Sequence, residues 1–200
     1  PRMQSLERTK RVIIALHGWT GNINSLQPIA KLWKFLATEW VYIQGPYKEK
    51  QEGYSWFGGN NKIGWECEKS FQKLNDLIED LLMNGYQNKE IFILGFSQGA
   101  CLAMEFMIRQ QFSLGGVIAI SGFIKNKNDF KKDQNILSKN TRVLLLHGNE
   151  DNIIYPEESK IAYKLFVELG YRAELNIFPG IHKIPLSAKK LIQNILFDDI

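Results

Sequence analysis

Two cysteines in 200 residues exclude a disulfide-built scaffold. Cys67 and Cys101 read as reduced thiols, and neither stands at metal-ligand spacing from a histidine, so no metal site is expected. No apolar run approaches the roughly 20 residues that cross a bilayer, so stable membrane insertion is not expected. No charged start followed by an apolar stretch marks a leader; with the reduced thiols, this points to a cytoplasmic protein. A large excess of one charge is missing too: 25 Lys and Arg stand against 21 Asp and Glu, a formal +4. Basic residues are scattered, apart from Lys125, Lys127, Lys131 and Lys132, which read as a solvated loop or helix face. No nucleic-acid partner is expected. Linkers, repeats and low-complexity segments are absent from the sequence, so residues 1–200 read as one domain with a full hydrophobic core.

What is present is an alternation of strand-like and helix-like segments. Val12–Leu16 is a short apolar run ending at His17-Gly18. Residues 26–38 have near-helical apolar spacing, with Pro28 tolerated in the first turn. Trp40–Gln44 is strand-like, and Tyr47–Gly64 is rich in glycine and aromatics without a clear period. Glu66–Asn84 is an amphipathic helix stopped by Gly85. Further apolar runs cover Ile91–Leu94, Gly116–Ile120 and Val143–Leu146. Ala100–Met107, Pro156–Leu169 and Pro185–Phe197 read as helices, and Arg172–Phe178 alternates like a strand. Continuous apolar strands separated by helices imply a mostly parallel, doubly wound sheet with helices on both faces. Reactive groups in such sheets lie past the carboxyl ends of the strands.

Gly95-Phe96-Ser97-Gln98-Gly99 lies between one such strand and a helix. A strand, Gly-x-Ser-x-Gly and a helix describe a nucleophile elbow. The bend strains its central residue, and a Cβ at either glycine would collide with the neighbouring strand or helix. The serine hydroxyl is pushed out beside the positive end of the helix. Ser97 is therefore the expected nucleophile of a serine hydrolase.

A serine hydroxyl needs a base, and the base needs an orienting acid. Only three histidines are available. The chain order Ser, acid, His leaves His182 as the base, because it alone has an earlier strand end free to supply the acid. Asp151 is that acid, with Glu150 as the rival. His147 and His17 read as structural histidines whose rings bond nearby loop backbone. The oxyanion hole is expected from the Gln98 N–H and from the Trp19 N–H in the loop His17-Gly18-Trp19-Thr20-Gly21. Trp56 and Phe57, flanked by glycines, suggest an apolar wall for an acyl chain, or else core residues that pin a long loop.

These residues together resemble the acyl-protein thioesterase, or phospholipase/carboxylesterase, family of α/β-hydrolases. The shared signatures are Leu16-His17-Gly18, Ser55-Trp56-Phe57, Gly95-Phe96-Ser97-Gln98-Gly99-Ala100, His147-Gly148 followed by Asp151, and Gly180 with His182. They run in order over residues 11–197. The resemblance implies the α/β-hydrolase fold without a large lid, and maps the triad onto Ser97, Asp151 and His182 and the hole onto Trp19 and Gln98. It departs at Trp19-Thr20-Gly21-Asn22, at Gly58, and at the longer segment Asn152-Ile153-Ile154-Tyr155-Pro156. All three lie on the substrate-facing rim, where Ile154 joins Trp56 and Phe57 as an expected substrate contact.

The expected activity is cleavage of carboxylic esters or thioesters, as in a carboxylesterase, acyl-protein thioesterase or lysophospholipase, through an acyl-enzyme and without a cofactor. The partner is then a small or acylated substrate; the sequence does not set the oligomeric state. The alternative from another class is a non-catalytic protein of this fold that binds a lipid or protein partner in the same cleft.

Overall fold

The buried runs can leave water on both faces only by pairing side by side, and they do so in one six-stranded sheet. The computed structural model describes residues 10–49, 52–60, 62 and 64–197, so the expectation that no leader is present, which bears on residues 1–9, lies outside the described residues. In chain order the elements are β1 (Arg11–Leu16), α1 (Gln27–Trp33), β2 (Thr38–Ile43), the short strands β3 (Tyr47–Lys48), β4 (Tyr54–Ser55), β5 (Gly58–Asn60) and β6 (Gly64–Glu66), α2 (Glu68–Met83), β7 (Ile91–Phe96), α3 (Gln98–Met107), β8 (Gly116–Ile120), α4 (Lys127–Lys132), β9 (Arg142–Gly148), α5 (Pro156–Glu168), β10 (Ala173–Phe178) and α6 (Lys189–Phe197).

The sheet order is β10-β9-β8-β7-β1-β2, and every neighbouring pair is parallel. The chain runs from β1 outward to the β2 edge. It then returns to β7 on the other side of β1 and winds toward β10. The direction of winding reverses between β1 and β7, and the crevice beyond their carboxyl ends is where such a sheet accepts a ligand.

Alternate residues of each inner strand feed opposite layers. Ile91 and Ile93 join Leu74, Ile78, Ala162 and Phe166 under α2, α3 and α5. Phe92 and Leu94 join Leu26, Trp33, Ile192 and Leu196 under α1 and α6. Phe106, Phe130 and Phe166 are fully buried, each worth about 1.5–3 kcal/mol in area removed from water. The fold is thus an α/β-hydrolase sandwich with helices on both faces.

Three local outcomes differ from the sequence pattern. The helix expected over residues 26–38 stops at Trp33, because Lys34 turns left-handed at φ 46° and donates its N–H to Ala30 O. The chain must reverse there, since Thr38 already pairs with Arg11 as β2. The aperiodic stretch after Tyr47 forms two small antiparallel ribbons, β3 with β4 and β5 with β6. The lysine-rich stretch contains α4, started by Asn126, whose side chain accepts from the amides of Asn128 and Asp129. Among the described residues, no helix is long and apolar enough to cross a membrane.

Candidate active site

Between β7 and α3 the chain makes one bend, and Ser97 sits in it at φ 54°, ψ −116°. Such a conformation costs a non-glycine residue about 1–3 kcal/mol and persists only where its surroundings dictate it. The surroundings are tight. A Cβ on Gly95 would lie 2.3 Å from Gly99 O, and one on Gly99 would lie 2.3 Å from Leu16 O. Ser97 N–H is anchored to Ile120 O at 2.8 Å, and Ser97 O accepts from Cys101 N at 3.1 Å as the helix begins. The hydroxyl is half-exposed beside the amino end of α3, where helix amides lack internal acceptors.

The Gln98 side chain turns back to fix the neighbouring ribbon. Its Oε1 accepts from Trp56 N at 2.9 Å and its Nε2 donates to Ser55 Oγ at 2.9 Å. Its own backbone N–H forms no hydrogen bond among the described residues, and neither does that of Trp19. The Trp19 loop is held by Gly21 N–H on Gly18 O and by a bridge from Tyr54 N–H to Gly21 O, each at 3.0 Å. The indole of Trp19 is exposed.

Past β10, His182 directs Nδ1 onto Asp151 Oδ2 at 2.6 Å. Asp151 is 3% exposed, whereas Glu150 lies in solvent. Asp151 Oδ1 accepts from the amides of Ile153 and Ile154, both at 3.0 Å. Burial alone would raise this carboxyl, but the His182 ring and those two amides outweigh it and hold it below the ordinary value of 3.8. The His182 ring rests on Phe96, the residue before Ser97, with ring centroids 4.9 Å apart. Neither Ser97 Oγ nor His182 Nε2 is hydrogen-bonded among the described residues.

His17 is buried and closes the other side of the crevice. Its Nε2 accepts from Gly45 N–H at 2.9 Å, so the ring proton sits on Nδ1 and is donated to Gly18 O at 2.7 Å. Burial is the main cause that pushes its pKa down from 6.5. Trp56 packs against this ring at 4.8 Å, tilted by 33°, and donates its indole N–H to His17 O at 2.7 Å. Trp56 is 0% exposed, so it is a pin of the loop interior and has no face to offer a substrate. Its expected place in an acyl wall is corrected accordingly.

Phe57 is also mostly buried, but it lines a cavity of about 470 Å³ together with Trp65, Phe71 and Lys125. Half-buried Ile154 lines a wider groove of about 770 Å³ with Phe123 and Tyr155. Trp65, Lys125 and Asn126 border both spaces. The Lys125 ammonium lies 3.5 Å from the Trp65 ring centre and 4.4 Å from that of Phe57. Among the described residues, no group of His, Cys, Asp and Glu is arranged as a metal site would need.

The sequence profile of phospholipases and carboxylesterases matches residues 3–196. The chain belongs to the phospholipase/carboxylesterase family. A probable carboxylesterase, SOBER1-like, from Arabidopsis thaliana is 24% identical over 193 residues, spanning 88% of this chain and 73% of the relative. Acyl-protein thioesterase 1 of Kluyveromyces lactis is 32% identical over 115 residues, covering 56% of this chain and 50% of its own length. The crystal structure of Arabidopsis thaliana SOBER1 superposes with a TM-score of 0.83 at 22% identity, over 94% of this chain and 97% of that one, which shows the shared fold.

For this member of the phospholipase/carboxylesterase family, the sequence pattern missed Trp65, Lys125 and the Gln98 side chain. Trp65 lies in the aperiodic stretch, where no face can be assigned. Lys125 stands among other lysines in the sequence, although it alone of the four is half-buried against aromatic rings. Glutamine at position 98 carries a signal only through its backbone N–H.

Proposed function

We propose that the protein is a serine hydrolase of carboxylic esters and thioesters, with Ser97 as nucleophile, His182 as general base and acid, and Asp151 as the orienting carboxylate. The observation that carries this reading is the 2.6 Å bond from His182 Nδ1 to buried Asp151, which turns Nε2 away from the carboxylate and leaves it free. With Nδ1–H donated to an ionised carboxylate, Nε2 keeps its lone pair. It takes the Ser97 proton as Oγ attacks the acyl carbon.

The tetrahedral oxyanion is received by the N–H groups of Trp19 and Gln98, neither of which has another acceptor among the described residues. Each contributes about 2.7–4 kcal/mol in the transition state. Collapse expels the alcohol or thiol, which His182 protonates. Water then repeats the sequence on the acyl-enzyme, with His182 as base, and frees the acid and Ser97.

The substrate class comes from the family and from its named members, which include carboxylesterases, acyl-protein thioesterases and a lysophospholipase-like protein. Phe57 and Ile154 belong to the two spaces that would receive the acyl or leaving portion. The two free thiols suit a cytoplasmic setting.

A fluorophosphonate probe tests the reading directly. It should label the protein at Ser97, and Ser97→Ala should abolish both the labelling and the hydrolysis of p-nitrophenyl acetate. Labelling at another residue, or turnover that survives the substitution, overturns the assignment.

A further inference from the structure

The proposed triad uses one histidine, yet two imidazoles meet Asp151. His147, next to last in β9, brings Nε2 to 3.2 Å from Asp151 Oδ2, the oxygen that His182 Nδ1 contacts at 2.6 Å. The side chains of His147 and Asp151 are both fully removed from solvent. His147 Nε2 also lies 2.8 Å from Ile154 O, and its Nδ1 lies 2.6 Å from Ser159 Oγ.

These partners fix where the proton of His147 resides. Nε2 faces a carbonyl oxygen and a carboxylate oxygen, both of which only accept, so Nε2 must carry the hydrogen. In the neutral ring Nδ1 is then a bare acceptor, and the Ser159 hydroxyl donates to it at 2.6 Å in preference to Gly122 O at 3.5 Å. The opposite tautomer would set a ring lone pair against two oxygen lone pairs with no water to separate them. Asp151 therefore receives two amides on Oδ1 and the His182 N–H on Oδ2, while His147 donates Nε2–H to Ile154 O and stands 3.2 Å from Oδ2 without a hydrogen bond to it.

We propose that His147 is a positioning residue for the hydrolytic site: its Nε2–H holds Ile154 O, the carbonyl of a residue whose own amide grips Asp151, and stands 3.2 Å from the Asp151 oxygen that orients His182. The proposal rests on the triad reading above. The loop and its carboxylate then cannot swing away from His182 between turnovers. The positive N–H edge of His147 beside Oδ2 also tempers how strongly Asp151 stabilises the His182 imidazolium. The titratable groups around Asp151 are His147 on β9 and His182 after β10; Glu157, in the first turn of α5, also feels the charge of His147.

The tautomer can be read in the unaltered protein by ¹⁵N NMR of the histidine rings. His147 should carry its proton on Nε2 alone. A proton on Nδ1 with bare Nε2 overturns the proposal, whatever the identity of the nucleophile. The kinetic arm uses His147→Leu, which removes the donor, and His147→Gln, whose amide nitrogen replaces Nε2. Loss of the donor should lower kcat on p-nitrophenyl acetate about tenfold, with KM within about twofold of wild type. It should also move the acid limb of kcat/KM up by about half a pH unit, because the less-compensated carboxylate holds the imidazolium more firmly. His147→Gln should recover most of both changes. A Leu variant with the wild-type limb and kcat, or a Gln variant no better than Leu, overturns the proposal. Turnover surviving Ser97→Ala would defeat the triad instead and leave the tautomer result standing.

Discussion

Ser97 and Ser121 occupy the same place on two adjacent strands, yet only one faces the crevice. Each is the first residue past its strand, β7 or β8. Each is left-handed, at φ 54° and φ 50°. Each donates its N–H at 2.8 Å to the next strand, Ser97 to Ile120 O and Ser121 to Leu146 O. They differ in the path the chain takes next. After Ser97 the chain enters α3 at once, so the hydroxyl stands beside a helix amino end and half in solvent. After Ser121 the chain runs through Gly122, Phe123 and Ile124 before any helix, and the hydroxyl is buried without a partner among the described residues. Strain at a strand end is thus common to both serines, and under the proposed triad the helix start and His182 set Ser97 apart.

Exchange at the two serines gives the largest expected contrast. Ser97→Ala should lower kcat for p-nitrophenyl acetate by more than about 10⁵-fold. Ser121→Ala should leave it within about threefold and, by removing an unpartnered buried hydroxyl, raise unfolding stability by about 1 kcal/mol in urea titrations. Equal loss of activity at both positions would erase the distinction.

The next effect tests the imidazole. Asp151→Asn should cost up to about 10⁴-fold in kcat, since an amide can hold His182 in the wrong tautomer. The exposed neighbour, Glu150→Gln, should change kcat by less than about twofold. A damaging Glu150→Gln would reassign the acid.

A smaller effect separates the two bends by packing. In Gly99→Ala the new Cβ would lie 2.3 Å from Leu16 O and 2.6 Å from His17 O, both backbone atoms. That substitution should remove about 3 kcal/mol or more of stability. In Gly122→Ala the nearest atom, at 2.8 Å, is the Ala100 side-chain methyl, backed by the flexible end of Met104. Its cost should stay at about 1–3 kcal/mol. Thermal unfolding of both variants ranks them.

The smallest effect concerns the third rim of the crevice, at β1. The folded-state pKa of His17 is lowered from 6.5, so below that pH the unfolded chain binds the proton first. Stability is full above about pH 6.5 and falls on acidification, by at most about 1.4 kcal/mol per pH unit from this one group. The Asp151 carboxyl, held below 3.8, adds its own loss only as pH falls through that lower range. Urea midpoints between pH 7.5 and 5 should therefore decline in the wild type and flatten in His17→Asn.

The elbow was legible because its causes are local: two glycines, a serine, an apolar strand before and a helix after. That His182 pairs with the loop after β9 was legible from chain order, and Asp151 was preferred to Glu150 for its shorter arm set further along that loop. Trp56 and Phe57 show where such reading fails. They are consecutive, yet Trp56 is sealed against His17 while Phe57 borders a cavity. That partition depends on where the ribbon lands, and Gln98 sets the landing from across the crevice. The two His-Gly dipeptides look alike in sequence, but His17 is fixed with its proton on Nδ1, whereas the partners of His147 require one on Nε2.

By itself the sequence determined the succession of elements, the parallel sheet and the bend that carries Ser97, because strand period, glycine geometry and helix propensity act over a few neighbouring residues. Only the tertiary structure decided which aromatic rings are sealed, that Lys125 lies over Trp65, and that a second histidine stands beside the Asp151 oxygen that His182 contacts. Those outcomes depend on side chains converging from distant strands, where burial and the demand that every buried polar atom find a partner select one arrangement.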